Sequence, residues 1–194
     1  QPNIGLWNLY QLANAFYPLI EDAAPLEAIL NQYKTDFDKK SLQMMKSKLG
    51  LFVSDEDDMN LIQELEDNLQ LTETDMTIFF RNLSNFSSYN NGFELVKNAF
   101  YDLENISDDV KNRWKSWFRK YEERLAIERV SVDERKVKMD ATNPKYVLRN
   151  YMAQLAIDDA NNGNYTLIDE LFQLLRNPYS EQPENEKWFA KRPE

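Results

Sequence analysis

The sequence predicts an all-α fold, and three observations support that class. Apolar residues recur at steps of three and four along most of the chain, which is the period of an amphipathic helix. Residues that favour helix starts precede several of these segments, and no segment alternates as a half-buried strand would. With 194 residues, 42% of them hydrophobic, the chain can bury a sizeable core. We expect one helical domain over residues 1–179 and a polar, proline-containing tail, draped or partly disordered, over 180–194.

Two helices are predicted in the first fifty residues. The second of them runs from Leu26 towards Leu49, and Gly50 follows where helices commonly end in left-handed backbone. The first is marked by six periodic residues: Leu6, Leu9, Tyr10, Ala13, Phe16 and Tyr17.

An acidic segment predicts the start of a third helix, which continues to Leu69. Ser54 is the expected N-cap, and the acids at 55–58 suit the positive end of the helix dipole. These acids lack the mid-loop glycine and ligand spacing of a calcium loop, so a solvated helix start is favoured over a metal site. A short helix is predicted from Met76 to Leu83, and the polar stretch 82–92 is expected to be a surface loop.

The second half of the chain predicts four further helices. Ser107 is the expected N-cap of a helix that reaches Leu125, and Ser131 with Glu134 has the spacing of a capping box. Asn143 and Pro144 predict the N-cap and first residue of a helix that ends near Gly163. A last helix is expected over 165–176, before Pro178.

Composition excludes several kinds of functional site. The absence of cysteine and histidine rules out thiol nucleophiles, disulfides, thiolate or imidazole metal sites and a Ser-His-Asp triad. Only four glycines are present, and none forms a phosphate-binding glycine loop. The net charge of −10 disfavours nucleic acid and anionic membranes as partners. We therefore expect a cytoplasmic protein with neither catalytic nor cofactor-binding residues of its own.

One helix combines aromatic and basic residues, as surfaces that bind single-stranded nucleic acid do. The aromatic residues Trp114, Trp117, Phe118 and Tyr121 keep helical spacing, however, and basic residues lie between them. A helix with a buried aromatic stripe and an exposed basic face explains this pattern better.

Two segments closely resemble the C-terminal portion of the selenoprotein O family, called YdiU in bacteria. The first begins Gln1-Pro2-Asn3-Ile4-Gly5-Leu6-Trp7-Asn8-Leu9. The second is Asn143-Pro144-Lys145-Tyr146-Val147-Leu148-Arg149-Asn150-Tyr151. Two shorter segments match in order and rough spacing: Lys46-Ser47-Lys48-Leu49-Gly50 and Phe79-Phe80-Arg81-Asn82-Leu83.

The resemblance implies a bundle-like, C-terminal part of a protein kinase-like fold. Members of that family transfer AMP from ATP to hydroxyl side chains of proteins, with Mg²⁺ or Mn²⁺ as the metal. Their nucleotide loop, catalytic residues and metal-binding residues precede the segment at which this chain begins, and their terminal Cys or selenocysteine motif lies beyond its end. The resemblance therefore implies that this chain is a scaffold whose partner is the missing N-terminal catalytic portion. The protein substrates would be those of the parent enzyme.

The resemblance assigns scaffold roles to ten positions in all. Among them, Trp7 and Asn8 are expected either to anchor the missing metal-binding loop or to be an ordinary buried indole and a helix-start amide. Arg149 is expected to be buried and paired with a carboxylate, because its helix is apolar on most sides, whereas Lys145 is expected to be exposed. The ten are Gln1, Pro2, Trp7, Asn8, Asn143, Pro144, Tyr146, Leu148, Arg149 and Asn150.

Loss of the parent's contacts would leave apolar surface, through which this chain is expected to self-associate. The alternative is a free-standing helical interaction module without enzymatic activity. A native product of the same 194 residues would favour that alternative.

Overall fold

A computed structural model describes residues 2–193 and confirms the all-α class. No strand occurs in this range, where the only extended pairing is an isolated bridge between Thr74 and Phe100. The α-helices are α1 (Pro2–Ile20), α2 (Ala24–Leu49), α3 (Asp58–Leu71), α4 (Met76–Leu83), α5 (Tyr89–Val96), α6 (Asp108–Leu125), α7 (Val132–Thr142), α8 (Asn150–Asn161) and α9 (Thr166–Arg176). Short 3₁₀ helices cover Lys97–Ala99 and Pro183–Trp188.

The chain forms two compact units, residues 1–45 and 46–194, and their boundary lies within α2. The expected single domain that ends at residue 179 stays a prediction. In the first unit, a Cβ on Gly5 would lie 2.8 Å from the Tyr33 hydroxyl oxygen, so α1 and α2 approach closely there. Even so, α1 has no buried residue. Its exposed large apolar residues are Ile4, Trp7, Tyr10, Leu12, Phe16, Tyr17, Leu19 and Ile20.

The core of the second unit is built on the aromatic stripe of α6, as the helical spacing predicted. Trp114, Trp117, Phe118 and Tyr121 are all at most 1% exposed. The Trp117 indole N–H donates to the Leu61 carbonyl (2.9 Å), so the buried polar atom is satisfied. The Tyr121 hydroxyl donates to the carbonyl of Leu49 (2.7 Å), and its burial raises the pKa of this phenol.

Three predicted helix ends are confirmed. Gly50 ends α2 with a φ of +69°, a conformation in which an L-residue is strained. Ser107 caps α6 by accepting a hydrogen bond from the Val110 N–H. Ser131 and Glu134 form the predicted reciprocal capping box at the start of α7.

The acidic segment differs from the prediction. Helix α3 begins at Asp58 and its N-cap is Asp57 rather than Ser54, with no side-chain capping bond. Asp58 is 3% exposed rather than solvated, because Lys46 and Arg124 approach its carboxylate. Tertiary ion pairing therefore replaces local capping at this helix start.

The predicted loop over 82–92 is partly helical. Helix α5 begins at Tyr89, with Ser88 as its N-cap. Gly92 lies inside it because the Phe118 ring occupies the neighbouring space, where a Cβ would come within 2.4 Å of the ring. Tertiary packing thus explains why Gly92 lies within a helix, although the local composition predicts a loop.

The predicted helix from Asn143 to Gly163 begins too early. Asn143 is the C-cap of α7 and donates its backbone N–H to the Met139 carbonyl. Pro144 follows in non-helical backbone, and α8 begins only at Asn150. The dipeptide therefore separates two helices instead of starting one.

Candidate functional site

Asn143 joins two of the predicted signature segments by reciprocal hydrogen bonds. Its side-chain amide donates to the Lys48 carbonyl (2.9 Å) and accepts from the Lys48 ammonium (3.2 Å). The same ammonium lies 4.9 Å from the centre of the Phe80 ring, a cation–π distance. Burial lowers the pKa of Lys48. The contacts bring together residues from 46–50, 79–83 and 143–151.

Arg81 extends this network to the C-terminal end of the chain. The guanidinium is 5% exposed and donates to the backbone carbonyls of Asp140 (3.0 Å) and Asn143 (3.1 Å). Its other terminal nitrogen contacts the Glu181 carboxylate at 2.6 Å. We call residues 181–192 the strap, because they lie across the helices through such contacts.

Lys145 is a second basic residue that holds the strap, and it corrects the expectation of an exposed side chain. It is 7% exposed and its ammonium contacts the carboxylates of Glu181 (2.7 Å) and Glu186 (2.6 Å). Burial acts to lower the pKa of Lys145, but the two carboxylates outweigh it and raise that pKa. In turn, Lys145 and Arg81 lower the pKa of Glu181 to about 2.

The strap is further fixed by apolar and backbone contacts. Trp188 packs in the cluster that contains Tyr146, and its indole N–H donates to the Glu170 carboxylate (2.7 Å). The Lys191 ammonium donates to the Phe100 carbonyl (2.6 Å). The described part of the predicted tail is therefore packed against the helices.

Arg149 makes a bidentate ion pair with Asp75, with nitrogen–oxygen distances of 2.5 and 3.0 Å. The side chains are 16% and 2% exposed, so the expected buried pairing of Arg149 is confirmed. Asp75 also caps α4 by accepting from the Ile78 N–H (3.0 Å). Arg149 itself is the N-cap residue of α8 rather than a residue within a fully apolar helix.

A similar ion pair holds the first of the shorter segments. The Asp58 carboxylate contacts the Lys46 ammonium and the Arg124 guanidinium, both at 2.7 Å. Burial alone would raise the pKa of Asp58, but hydrogen bonds from Arg124 and Lys46 lower it. Arg124 also pairs with Glu128 (2.9 Å).

The other signature positions differ in their surroundings. Tyr146 is 1% exposed, and its hydroxyl donates to the Gln182 carbonyl (3.0 Å). Leu148 is exposed, and Pro144 is partly buried. Trp7 is 60% exposed, which is inconsistent with an ordinary buried indole. Pro2, Asn8 and Asn150 are also exposed, and Gln1 lies outside the described residues.

The network can hold segments together, but its charges are already neutralised. The carboxylates of Asp58, Asp75 and Glu181 each contact at least one cationic side chain. Lys48 is the exception, and its ammonium is held by an amide and a ring. Within residues 2–193, no three acidic side chains are grouped to hold a metal ion, and no helix is long and apolar enough to cross a membrane.

Sequence reasoning missed the acidic partners of the signature residues. Asp75 carried a usable signal, because it directly precedes a predicted helix and Asp is a favoured N-cap. Glu181 carried none, since it is one acid in a polar segment and its partners lie 36 and 100 residues away.

Comparison with known proteins confirms the resemblance. A family model described as "Protein adenylyltransferase SelO" matches residues 1–176. Relatives named "Protein nucleotidyltransferase YdiU" from Flavobacterium johnsoniae, Aromatoleum aromaticum and Rhodopirellula baltica are 53%, 41% and 39% identical over 100% of this chain. The chain spans only 37–38% of the length of these relatives.

Proposed function

Because this chain belongs to the SelO family of protein adenylyltransferases, we propose that it forms the C-terminal helical scaffold of such an enzyme. The parent would have the kinase-like fold of the family and transfer AMP from ATP to serine, threonine or tyrosine hydroxyls of proteins in the bacterial cytoplasm. The observation that carries the scaffold role is the network around Arg81, Asn143 and Arg149. Its contacts join three of the four matching segments, residues 46–50, 79–83 and 143–151, which suits positioning rather than reaction.

ATP and Mg²⁺ or Mn²⁺ would be held by the remaining portion of the parent, because the described residues here do not fit them. A triphosphate cradle needs glycines with open space beside them. Gly5, Gly50 and Gly92 instead face the side chains of Tyr33, Arg135 and Phe118. Gly163 has open space beside it, but it is a single glycine and does not form a glycine-rich loop. The described acidic residues likewise form no metal-binding group. The role of this chain would be to keep the catalytic portion rigid, since positioning accounts for much of the rate of group transfer from nucleotides.

The apolar surface of α1 supports contact with that missing portion. Most residues of α1 are apolar, and a helix of this kind normally buries one face. In this chain α1 buries no residue, and Trp7 is 60% exposed. Exposed apolar surface of this extent is typical of an interface. We infer that α1 docks on the remaining portion of the parent and that Trp7 is one of the residues it covers.

Binding and transfer assays test the two parts of this proposal. Calorimetry of this chain with ATP and Mg²⁺ should detect no dissociation constant at or below about 1 μM, and a specific constant in that range would contradict the scaffold role. In the parent enzyme, Trp7→Glu should reduce AMP transfer to protein by about tenfold or more, because it places a charge in an apolar contact. Met59→Glu is the control, since Met59 is 67% exposed in the second unit. Equal activity of both variants would contradict the role of α1.

A further inference from the structure

Helices α8 and α9 form an apolar groove on the second unit. The groove has a volume of about 410 Å³, and alanines at 153, 156 and 160 form part of its lining. Larger residues of the same lining project into solvent, with Phe172 60%, Ile157 53% and Ile168 44% exposed. The alanines leave a depression in this surface, and the large apolar side chains beside them protrude from it.

This face adjoins the one that packs in the core, because Ala156 and Leu171 belong both to the groove lining and to the buried cluster. The buried cluster takes Met152 from α8 and Leu174 from α9, together with Trp188 of the strap. Phe172 and Ile157 belong to the opposite, exposed sides of the two helices. The floor of the groove is therefore shared with the core, whereas its exposed apolar walls are not part of the buried cluster. Exposed apolar surface of this kind is typical of an association site.

Two unpaired charges of opposite sign lie beside the groove. Asp169 and Arg176 are seven residues apart on α9, and two helical turns place them on the same flank. The Arg176 guanidinium lies 6.0 Å from the centre of the Phe172 ring. Within the described chain, neither side chain has a hydrogen bond or an ion pair.

We propose that this face binds a second copy of the chain about a two-fold axis near Phe172. In a two-fold contact each patch meets itself, so the patch must be self-complementary. Antiparallel packing of α9 on its copy places Asp169 of each chain opposite Arg176 of the other, giving two equivalent ion pairs. A parallel arrangement would oppose like charges and is disfavoured. The projecting Phe172 ring of each copy meets the alanine-lined groove of the other.

Sedimentation velocity on the full chain, with charge-reversal variants, tests this arrangement. The wild-type chain should form dimers in a concentration-dependent manner. Asp169→Arg and Arg176→Asp should each weaken dimerisation by about tenfold or more, because each turns both symmetric pairs into like-charge contacts. The double variant Asp169→Arg with Arg176→Asp should restore dimerisation, since the pairs are re-formed with exchanged signs. All these side chains are exposed, and circular dichroism should show that each variant keeps the helical fold, apart from small losses at the ends of α9, where the reversed charges oppose the helix dipole.

Two further variants separate this face from the apolar surface of α1. Phe172→Glu should abolish the dimer, whereas Trp7→Glu should leave the dissociation constant unchanged. A chain that stays monomeric at about 100 μM, well above the range of a specific dimer, would overturn the proposal. It would also be overturned if the two single reversals had no effect, if the double variant failed to restore dimerisation, or if only Trp7→Glu prevented it.

Discussion

At the scale of single residues, Arg149 illustrates how a signature side chain acts through a distant acid. It neutralises Asp75, and that carboxylate simultaneously caps α4. The two residues lie 74 positions apart, so one ion pair connects the start of α8 with the start of α4. Loss of the guanidinium would leave a nearly buried carboxylate with only the Ile78 N–H and a long contact from Tyr101.

We therefore expect Arg149→Ala to lower the free energy of unfolding by about 3–5 kcal/mol, the usual cost of removing one member of a buried ion pair. Arg113→Ala is the matched control, because Arg113 is an exposed arginine of α6 and exposed charges contribute about 0–1 kcal/mol. Urea unfolding of both variants measures the difference. Similar losses of less than about 1 kcal/mol would show that the Arg149–Asp75 pair is not a structural contact.

At the scale of the element, Gly50 and Gly163 both have left-handed backbone, but only Gly50 is crowded by a neighbouring side chain. Comparing alanine substitutions at the two positions distinguishes the cost of backbone strain from the cost of steric crowding. Gly50 has a φ of +69°, and a Cβ there would lie 2.7 Å from the Arg135 side chain. Gly163 has a φ of +79° with no atom within 4 Å of such a Cβ. We expect Gly163→Ala to cost about 1–2 kcal/mol through backbone strain alone. Gly50→Ala should cost more by thermal or urea unfolding, and equal costs would mean that Arg135 moves aside freely.

The strap predicts a specific dependence of stability on pH. Lys145 and Arg81 lower the pKa of Glu181 to about 2 in the folded chain, whereas its ordinary value is 4.5. A carboxyl whose folded pKa is depressed adds stability above its unfolded pKa and loses it as the pH falls through the folded pKa. From pH 4.5 to 2, the wild-type free energy of unfolding should thus fall more steeply than that of Glu181→Gln. The difference should be small, because the Glu181 side chain is 61% exposed and solvent screens the pair.

Glu184→Gln provides the control for this pH dependence. Glu184 is a nearby exposed acid in the same strap, so its variant should keep the wild-type slope. A Glu181→Gln slope equal to that of the wild type would show that the strap ion pairs do not contribute to folding.

The elements that the sequence predicted are those with local signals. The α6 stripe follows from helical spacing, and the α7 start follows from the Ser131 and Glu134 capping box. Helix α5 was not predicted because Gly92 suggests a loop. Glycine is required there because the Phe118 ring, distant in sequence, leaves no space for a Cβ atom. Asn143 was assigned to the wrong helix because a tertiary contact again decides its role. Its side-chain amide donates to the Lys48 carbonyl instead of capping a helix that follows it. Within the network, only Arg149 was predicted to be paired, whereas Lys145 was expected to be exposed. The acidic partners of both residues were set by tertiary contacts that no local pattern indicates.

At the scale of the whole molecule, helices of the two units differ in the number of residues that they bury. Helix α1 buries no residue, whereas α6 buries six. Local opening costs least where few apolar contacts are broken. We expect the amides of α1 to exchange with solvent hydrogen at least about tenfold faster than those of α6. Hydrogen exchange followed by mass spectrometry measures this, and equal protection of both helices would contradict the expected difference.

The exposure of Trp7 has an optical consequence. Of the four tryptophans, Trp7 alone lies in residues 1–45 and is 60% exposed, while Trp114, Trp117 and Trp188 are at most 9% exposed. An indole in contact with water emits at longer wavelength than a buried one, and soluble quenchers reach it more easily. The red edge of the intrinsic fluorescence therefore reports on α1 alone, without any label. A blue shift of that component would register the moment at which another surface covers the helix.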